Sequence, residues 1–415
     1  MKKLLICSLA FLLLVFASCQ KENVTSPEMV QNELKSQENI NVNALQYKAL
    51  LEKNQQKADA ELLILATEIE KLRAERSQRF HNYGKSARVG STVINVPADY
   101  PTLQLAVNNS QPGGKIFIKG TLSEPSNVIV DVPELTIQGQ GSSPTINGNM
   151  LMITATGVTV QNLKLNMATV ISGTTKAKLM NSTISAKNNT GAIGVLMVIN
   201  SSNNEIKNCT IDGAYAGSSY EYGLFTDNLS NKNKVENCIA KNTFGPLGIS
   251  ASSAFRIDGA DNSITNCTAL NFSRGFSSFG NACINNQFKG CVANNSINDS
   301  GFVFFLPTQS NLNLENCTAS GSVNGFFILG GSSTVSKCTA NTNQRLGALI
   351  INTSVLIEKS TFNNNGGLGI YLFGVNNNVI TKNKAVNNSI CDFNQTNCTG
   401  NTITDNTFGT SCTGL

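Results

Sequence analysis

The sequence of this 415-residue protein predicts an all-β solenoid, in which short parallel strands stack turn upon turn. Three observations support this fold class. The first is a repeated local frame around a cysteine, as in Asn204-Glu-Ile-Lys-Asn-Cys209-Thr and Asn262-Ser-Ile-Thr-Asn-Cys267-Thr. Its cysteines recur every 21 to 29 residues, at Cys209, Cys238, Cys267, Cys291, Cys317 and Cys338. Such a period is too long for a heptad and too short for a folded domain, so one repeat is predicted to form one solenoid turn.

The second observation is that each repeat contains two short strand signals separated by turn residues. One is a glycine followed by an apolar run, as in Gly301-Phe-Val-Phe-Phe305 and Gly369-Ile-Tyr-Leu-Phe373. The other is the alternating segment that leads to each cysteine position. Asparagine follows four residues after that position, at Asn242, Asn271, Asn295, Asn364 and Asn387. Because asparagine tolerates left-handed backbone conformations, these positions are predicted to be turns.

The third observation is that like residues recur at like positions, so parallel pairing of turns at about 4.8 Å would stack them into columns. The frame continues without cysteine on either side of the series, at Ser182, Ser360, Asn383 and Asn406. The same alternation appears in Gly120–Glu124 and Leu135–Gly139. We therefore predict a single-stranded parallel β-helix that begins near residue 91 and extends through residue 415.

The segment that opens this region predicts a capping helix. Leu103, Ala106 and Val107 form one apolar face of a short helix begun at Asp99 and Pro101. A solenoid needs such a cap, since its first turn otherwise exposes core and an unpaired strand edge.

The same segment carries a resemblance to a known family. Ile94-Asn-Val-Pro-Ala-Asp-Tyr-Pro-Thr-Leu-Gln-Leu-Ala-Val107 with Pro112-Gly-Gly resembles the opening motif of the pectin-lyase-like right-handed parallel β-helix superfamily, and the tail Cys391–Cys412 resembles its closing coil. The resemblance covers residues 91–415 and implies a right-handed helix. It does not imply one activity, because the superfamily includes lyases, hydrolases, esterases, epimerases and proteins without known catalysis.

The amino terminus predicts export and lipid anchoring. Met1-Lys-Lys-Leu-Leu-Ile begins a charged and then apolar stretch of signal-peptide length, which ends in Phe16-Ala-Ser-Cys19. This ending resembles a bacterial lipobox, in which the cysteine is acylated, by palmitate among other chains, and several chains on one residue anchor stably. We expect a lipoprotein signal peptide and lipobox over residues 1–19, with Cys19 as the mature amino terminus, and a lipid-anchored protein of the bacterial cell envelope. Gln20-Lys-Glu22 is compatible with the outer membrane, on either its periplasmic or its surface side.

Two segments of different composition separate the anchor from the solenoid. Residues 20–43 are rich in Asn, Gln, Glu and Ser and predict a flexible tether. Residues 44–90 predict a helical, coiled-coil-like segment and a linker. Apolar residues recur at helical spacing within 44–76, at Leu51, Ala58, Leu62, Leu65, Ile69 and Leu72. This helix would either self-associate as a coiled coil or lie against the solenoid.

An apolar stripe on the solenoid bears on that choice. In four successive glycine strands the positions predicted to face outward are apolar, and they are Val303, Phe305, Phe327, Leu329, Leu349, Ile351, Tyr371 and Phe373. Their neighbours Phe302, Phe304, Phe326, Ile328, Ile350 and Leu372 would point inward. A strand that is apolar on both faces is buried on both faces. The sequence therefore predicts that the stripe is covered by the 44–76 helix, a second protomer or a ligand.

The 12 cysteines predict few disulfides. Stacked columns place β-carbons about 4.8 Å apart, whereas a disulfide needs about 3.8 Å, so the six repeat cysteines are expected to be buried free thiols. A linear column also offers no tetrahedral shell for a metal ion. The terminal Cys398 and Cys412 are the better disulfide candidates, with Cys391 as a competitor.

Charge and histidine content exclude several function classes. Lysine and arginine number 31 against 26 acidic residues, which is too balanced for a nucleic-acid binder. The only histidine, His81, precedes the solenoid, so a histidine-dependent triad or zinc site within it is excluded. This also counts against the members of the superfamily whose catalytic motifs contain histidine.

One region departs from the bare repeat and is the candidate ligand groove. The two turns between Cys209 and Cys267 are the longest, and loops on a rigid solenoid often carry function. The candidate glycan-binding residues are Asp212, Tyr215, Tyr220, Glu221, Tyr222, Asp227, Phe255, Arg256, Asp258 and Arg274. Asp227 and Arg256 each lie 11 residues before their cysteine, which predicts that they stack.

Three interpretations of this region stay open. In the first, the region is a polysaccharide-binding groove, because the faces of tyrosine rings suit sugar rings. In the second, its charged residues form surface ion pairs that contribute little to stability. Alternatively, an arginine or a lysine acts as base in β-elimination on a uronate-containing glycan, helped by Ca²⁺ bound to an aspartate or glutamate. The sequence favours a lipid-anchored envelope protein that binds polysaccharide or envelope partners, with a polysaccharide lyase as the alternative. It does not identify catalytic residues.

Overall fold

A computed structural model describes residues 67, 71, 93–186, 194–213, 222–242, 252–279, 282–307, 309–351 and 353–412. The predicted signal peptide and tether lie outside these residues. So does the segment 44–90, apart from Thr67 and Lys71, which are helical. The solenoid lies within a compact unit bounded by Lys53 and Gly414. No helix among the described residues has the length and apolar character that crossing a membrane requires.

The chain folds into a right-handed parallel β-solenoid of about 13 turns, as the sequence predicts. The first elements are β1 (Val93–Val96), α1 (Leu103–Asn108), β2 (Lys115–Ser123), β3 (Val128–Val130), β4 (Thr136–Ile153), β5 (Thr159–Gln161) and β6 (Lys164–Ser172). Strands β2, β4 and β6 are long and pass around corners of the solenoid. Later turns are built from shorter strands.

The middle turns contain β7 (Lys178–Met180), β8 (Thr183–Ser185), β9 (Gly194–Ile199), β10 (Glu205–Lys207), β11 (Thr210–Asp212), β12 (Tyr222–Thr226), β13 (Lys234–Glu236), β14 (Ile239–Lys241), β15 (Ser253–Ile257), β16 (Ser263–Thr265), β17 (Thr268–Leu270), β18 (Arg274–Phe279), β19 (Gln287–Lys289), β20 (Val292–Asn294) and β21 (Ser300–Phe305). The last turns contain β22 (Asn311–Glu315), β23 (Thr318–Ser320), β24 (Asn324–Leu329), β25 (Ser332–Ser336), β26 (Thr339–Asn341), β27 (Leu346–Ile351), β28 (Ser354–Glu358), β29 (Leu368–Phe373), β30 (Val379–Thr381), β31 (Lys384–Ala385), β32 (Cys391–Thr396), β33 (Thr402–Thr404), β34 (Thr407–Phe408) and β35 (Ser411–Cys412).

Three parallel sheets form the sides of the solenoid. Sheet 1 contains the glycine strands and their equivalents, from β9, β12 and β15 through β35. Sheet 2 contains the strands that precede each cysteine, such as β13, β16 and β19. Sheet 3 contains the strands that follow it, such as β14, β17 and β20. Each turn passes through the three sheets in this order, so like residues of successive turns lie side by side.

The interior is a set of stacked apolar columns. In sheet 1, Phe255, Phe276, Phe302 and Phe326 are fully buried, and successive rings stack with centroids 4.9 Å apart. The inward positions predicted from the alternation, including Phe304, are likewise buried. These columns arise because parallel pairing in register repeats the inward position of each turn at the same place.

The repeat cysteines form one buried column of free thiols, which confirms the prediction. Each thiol contacts a backbone carbonyl of the preceding turn at 3.3 to 3.7 Å, as Cys317 does with Phe288 and Cys338 with Leu314. The residue before the cysteine has a left-handed conformation, for example Asn266 with φ of 51°. Of the predicted left-handed asparagines, Asn271, Asn295, Asn364 and Asn387 are left-handed and Asn242 is not.

A buried asparagine column closes the corner between sheets 1 and 2. The side-chain oxygen of Asn262 accepts from the backbone N–H and the side-chain amide of Asn233, at 3.0 and 3.2 Å. The amide of Asn262 donates to Ser230 O at 3.1 Å. Each asparagine thus satisfies backbone groups that the corner removes from the sheet. A second column, which includes Asn343, Asn365 and Asn388, does the same between sheets 3 and 1.

Helix α1 caps the amino-terminal end. Leu103, Ala106 and Val107 are fully buried, as predicted. The helix begins at Leu103 rather than near Asp99, because the Thr102 hydroxyl is the N-cap and accepts from Leu105 N. The carboxylate of Glu124 accepts from Leu103 N at 2.6 Å and ties the helix to the first turns.

The favoured pairing of Cys398 with Cys412 is wrong, because the competitor Cys391 takes the place of Cys398. Cys412 pairs with Cys391, with Cα atoms 6.1 Å apart, whereas Cys398 is a half-buried free thiol. The reason is the register of the last strands, because β35 pairs with β32 and places Ser411 beside Phe393. The thiol of Cys398 instead contacts the carbonyl of Leu372.

Candidate functional site

The structure describes seven of the ten candidate groove residues, since Tyr215, Tyr220 and Glu221 lie outside the described part of the chain. Phe255 belongs to the core column of sheet 1 and stacks on Phe276, so it faces away from any external groove. Asp212 lies on sheet 3, where its carboxylate is 3.7 Å from the Lys241 ammonium. These two residues do not converge with the others.

Four candidates meet on the outer face of sheet 1. The Nε atom of Arg256 donates to the Asp258 carboxylate at 2.7 Å, and Nη2 lies 2.6 Å from the same carboxylate. The third nitrogen of the guanidinium, Nη1, donates to the Tyr222 hydroxyl at 2.5 Å. The rings of Tyr222, Phe225 and Phe279 surround the Arg256 guanidinium at 5.1 to 5.4 Å. All of these side chains are buried.

Arg274 extends this cluster by one turn. Its Nε donates to the Asp299 carboxylate at 2.7 Å, and its guanidinium lies 5.3 Å from the Phe279 ring centroid. We call Tyr222, Arg256, Asp258, Arg274 and Asp299 the arginine cluster. Burial lowers the pKa of Arg256, but Asp258 and Tyr222 outweigh it and leave that pKa above its usual value. The guanidinium is therefore held protonated, which does not suit it to act as a general base.

Asp227 does not stack on Arg256, and that prediction is wrong. Arg256 is paired with Phe225 across β12 and β15. Thr226 is paired with Ile257 and Lys234 with Ser263, but the first turn has two more residues between these positions than the second. Two residues at the same number of positions before their cysteines therefore do not lie side by side. Asp227 instead accepts hydrogen bonds from Asn200 N at 3.0 Å and from the Ser230 hydroxyl. Burial nevertheless raises its pKa.

A second site, which the sequence did not indicate, is an open groove on the outer face of sheet 2. It has a volume of about 550 Å³ and crosses four turns. Its lining residues are Asp261, Asn285, Gln287, Asn311, Leu312, Asn313 and Thr334. We call it the polar groove.

The polar groove presents hydrogen-bonding groups in register. Gln287 is paired with Asn313, and Asn313 with Thr334, so these three side chains lie on one outward column at the spacing of successive turns. Within the described part of the chain, the side chains of Gln287, Asn311, Asn313 and Thr334 make no hydrogen bond. Asp261 accepts from the Asn285 amide at 3.1 Å. Three amides and a hydroxyl are thus available to a ligand.

The groove carries little net charge. Asp261 is its one ionisable lining residue. The ammonium group of the nearby Lys289 forms an ion pair with the Glu315 carboxylate at 3.0 Å. Over the described residues, no group of three or more His, Cys, Asp and Glu side chains is arranged to hold a metal ion. Apart from Asp261 and the apolar Leu312, the groove is lined by neutral side chains that can form hydrogen bonds.

The comparisons with known proteins agree with the observed fold. Residues 300–414 match the family described as the right handed beta helix region. No curated protein sequence matches the chain. Among solved structures, the catalytic domain of a GH87 alpha-1,3-glucanase in complex with nigerose is similar, with a TM-score of 0.51 at 14% identity, covering 77% of this chain and 67% of that chain.

A PL6 alginate lyase in complex with a trisaccharide is also similar. It has a TM-score of 0.52 at 12% identity, covering 79% of this chain and 89% of that chain. At such identities the likeness establishes the fold alone. The chain is a right-handed β-solenoid of the kind found in polysaccharide-active enzymes.

Proposed function

We propose that this protein binds a neutral polysaccharide in the polar groove on sheet 2. The observation that carries the proposal is the column of unpaired side chains formed by Gln287, Asn313 and Thr334. A glycan presents hydroxyl groups at regular intervals, and side-chain amides donate to and accept from them. Such a chain, lying along the solenoid axis, would meet one polar side chain per turn.

The charge of the groove supports a neutral ligand over a uronate polymer. A row of carboxylates would need arginine or lysine partners. Asp261 would repel them, and Lys289 already has Glu315 as its partner. The arginines of the arginine cluster are paired with Asp258 and Asp299. The GH87 glucanase acts on a neutral glucan by its name, which makes neutral glucans the first ligands to test.

Binding is best measured with a truncated form that begins at Gln20 and therefore lacks the lipid-anchor cysteine. The protein is titrated by calorimetry with soluble oligosaccharides of a neutral glucan, of alginate and of polygalacturonate. We expect saturable binding to the neutral ligand. The triple variant Gln287→Ala, Asn313→Ala and Thr334→Ala should lose at least about tenfold in affinity, since each lost hydrogen bond contributes about 0.5–1.5 kcal/mol.

A matched control lies in the same column of sheet 2. Thr334, Leu356, Val379 and Thr402 are consecutive in register, and Thr402 lies outside the groove. Thr402→Ala should bind as the unaltered protein does. Tight binding to a uronate polymer alone, or an equal loss in Thr402→Ala, would refute the proposed site. Formation of unsaturated products from alginate, seen as rising ultraviolet absorbance, would favour the lyase instead.

We propose further that the protein is lipid-anchored in the bacterial cell envelope through Cys19. The support is the sequence Phe16-Ala-Ser-Cys19 after an apolar stretch of signal-peptide length. Mass spectrometry of the mature protein should find an acylated amino-terminal Cys19, and Cys19→Ala should abolish both acylation and membrane sedimentation. A mature chain that begins after Cys19 would contradict this anchor.

A further inference from the structure

The polar groove lies where the corner that leads into sheet 2 changes its path. Gln287 is paired with Asn313, so Asn285 and Asn311, two residues earlier, occupy equivalent positions in successive turns. Asn285 is left-handed, with φ of 54°, and precedes the short strand β19, whereas Asn311 is the first residue of the longer strand β22. The chain thus passes from a tight corner to an extended one between these turns, and both residues line the groove.

Asp261 lies at one end of the groove. Ser263 is paired with Gln287, so Asp261 is the equivalent of Asn285 in the preceding turn, and it is also left-handed, with φ of 56°. Thr334 belongs to the turn at the opposite end. Three spacings of about 4.8 Å separate the two turns, which is about 14 Å along the solenoid axis. The negative charge of the lining is therefore confined to one end.

The Asp261 carboxylate can accept further hydrogen bonds. An ionised carboxylate has about four acceptor positions. That of Asp261 accepts one bond, from the Asn285 amide at 3.1 Å, and within the described residues its side chain makes no other hydrogen bond and no ion pair. Lys232 is its equivalent in the preceding turn, but it is exposed and lies outside the groove lining. A ligand that donates to Asp261 would therefore not have to break an existing ion pair.

The lining favours a cation at this end and neutral groups elsewhere. A protonated amine donates charge-assisted hydrogen bonds to a carboxylate, and these are roughly twice as strong as bonds between neutral groups. A ligand carboxylate in the same place would be repelled. The other polar groups of the lining are side-chain amides and a hydroxyl, which suit sugar hydroxyl groups and offer no charge to a second cation.

We propose that the glycan bound in the polar groove carries an amino sugar, whose protonated amine donates to the Asp261 carboxylate while neutral sugars occupy the rest of the groove. This specificity rests on the proposed function, since it requires that the groove bind a glycan. Asp261 is then the residue that determines which sugar is bound at its end of the groove.

Matched oligosaccharides test this specificity by calorimetry with the form that begins at Gln20. The neutral ligand is an oligomer of N-acetylglucosamine, and the test ligands are the same oligomer with the acetyl group removed from one terminal sugar, at either end. At about pH 6 and low salt the exposed amine is protonated. One of the two test ligands should bind about three- to tenfold tighter than the neutral oligomer, and added salt should reduce this gain.

Asp261→Asn is the matched variant. Asparagine tolerates the left-handed conformation, as Asn285 does at the equivalent position, and its side-chain oxygen can still accept from Asn285. The variant should lower the affinity ratio of the two ligands to about one, because the charge-assisted bond is lost. Asp405→Asn is the control, since Asp405 is exposed, left-handed with φ of 55° and outside the groove. It changes the net charge equally and should retain the ratio.

The results separate this specificity from the proposed function. Equal affinity for the neutral and test ligands, a gain that survives in Asp261→Asn, or a gain that is also lost in Asp405→Asn would overturn the amino-sugar specificity. The groove itself would still stand if the triple variant Gln287→Ala, Asn313→Ala and Thr334→Ala lost affinity for a neutral glycan. Failure of every neutral and amino glycan to bind would overturn both.

Discussion

The Arg256 guanidinium contacts the carboxylate of Asp258, which lies two residues later in the chain, just after β15. Its Nη2 and Nε atoms are 2.6 Å and 2.7 Å from the same carboxylate oxygen. The other carboxylate oxygen of Asp258 accepts from Phe279 N at 2.8 Å. The pair therefore links neighbouring turns on the outer face of sheet 1. Its two charges are almost wholly removed from water.

Removing one charge of this pair should be strongly destabilising. Arg256→Met leaves the Asp258 carboxylate buried without its partner, and we expect a loss of about 3–5 kcal/mol in the free energy of unfolding. The double variant Arg256→Met with Asp258→Leu should recover most of this loss, because no unpaired charge remains. Chemical denaturation measures both.

The surface pair of Lys241 and Asp212 is the matched control. It has a longer contact, 3.7 Å, and its ammonium side chain is 38% exposed. Lys241→Met should change stability by about 0–1 kcal/mol. If Arg256→Met were as mild, the arginine cluster would be open to solvent and available to a ligand.

The repeat explains why the fold could be predicted and the register could not. The cysteine, asparagine and phenylalanine columns follow directly from residues that recur once per turn. Turn lengths vary, however, so counting from Cys238 and Cys267 misplaced Asp227 relative to Arg256. The partners of a side chain depend on the pairing of strands, which counting along the chain does not supply.

The polar groove was not predictable for a related reason. Gln287, Asn313 and Thr334 occupy outward positions of sheet 2, where polar residues are ordinary in any strand that faces water. Their functional interest arises from their alignment across turns and from the absence of hydrogen-bond partners. The choice of Cys391 over Cys398 likewise depends on how β35 pairs with β32.

The thiols should differ sharply in reactivity between the folded and unfolded protein. Burial raises the pKa of Cys267 and Cys283, so they should remain protonated at a pH near 8.5, where an exposed thiol ionises. In the form without residues 1–19, a thiol-specific dye should label the half-buried Cys398 first, and all eight free thiols only after denaturation. Peptide mapping should find Cys391 joined to Cys412, and a bridge involving Cys398 would contradict the structure.

A methyl group added to Gly301 should strain the corner between sheets 3 and 1. Its β-carbon would lie 2.7 Å from the Ala319 methyl and 3.1 Å from Gly325 O. We expect Gly301→Ala to cost about 1–3 kcal/mol, as overpacking does in other cores. Adding Ala319→Gly removes the first contact and should restore part of the stability. Equal stability of the single and double variants would show that the corner relaxes by another route.

The carboxylate of Asp392 joins the final turns and should make their stability depend on pH. It accepts from Asn388 N and Nδ2, at 3.0 and 2.7 Å, and from the backbone N–H and hydroxyl of Thr410, at 2.6 and 3.0 Å. Burial acts to raise its pKa, but these hydrogen bonds outweigh burial and lower it. Since the folded pKa lies below the unfolded value of about 3.9, this stabilisation is complete above that pH and is lost as pH falls through the folded pKa.

Asp392→Asn tests this dependence, because an amide nitrogen cannot accept from Thr410. We expect a lower melting temperature than that of the unaltered protein at pH 7, and a smaller difference between the two proteins in acid. Glu315→Gln is the control, since Glu315 pairs with lysines at the surface of sheet 2 and makes no contact with the last turn. The difference in melting temperature between the two proteins could instead stay constant from neutral to acidic pH. This result would show that the contribution of Asp392 does not depend on its charge.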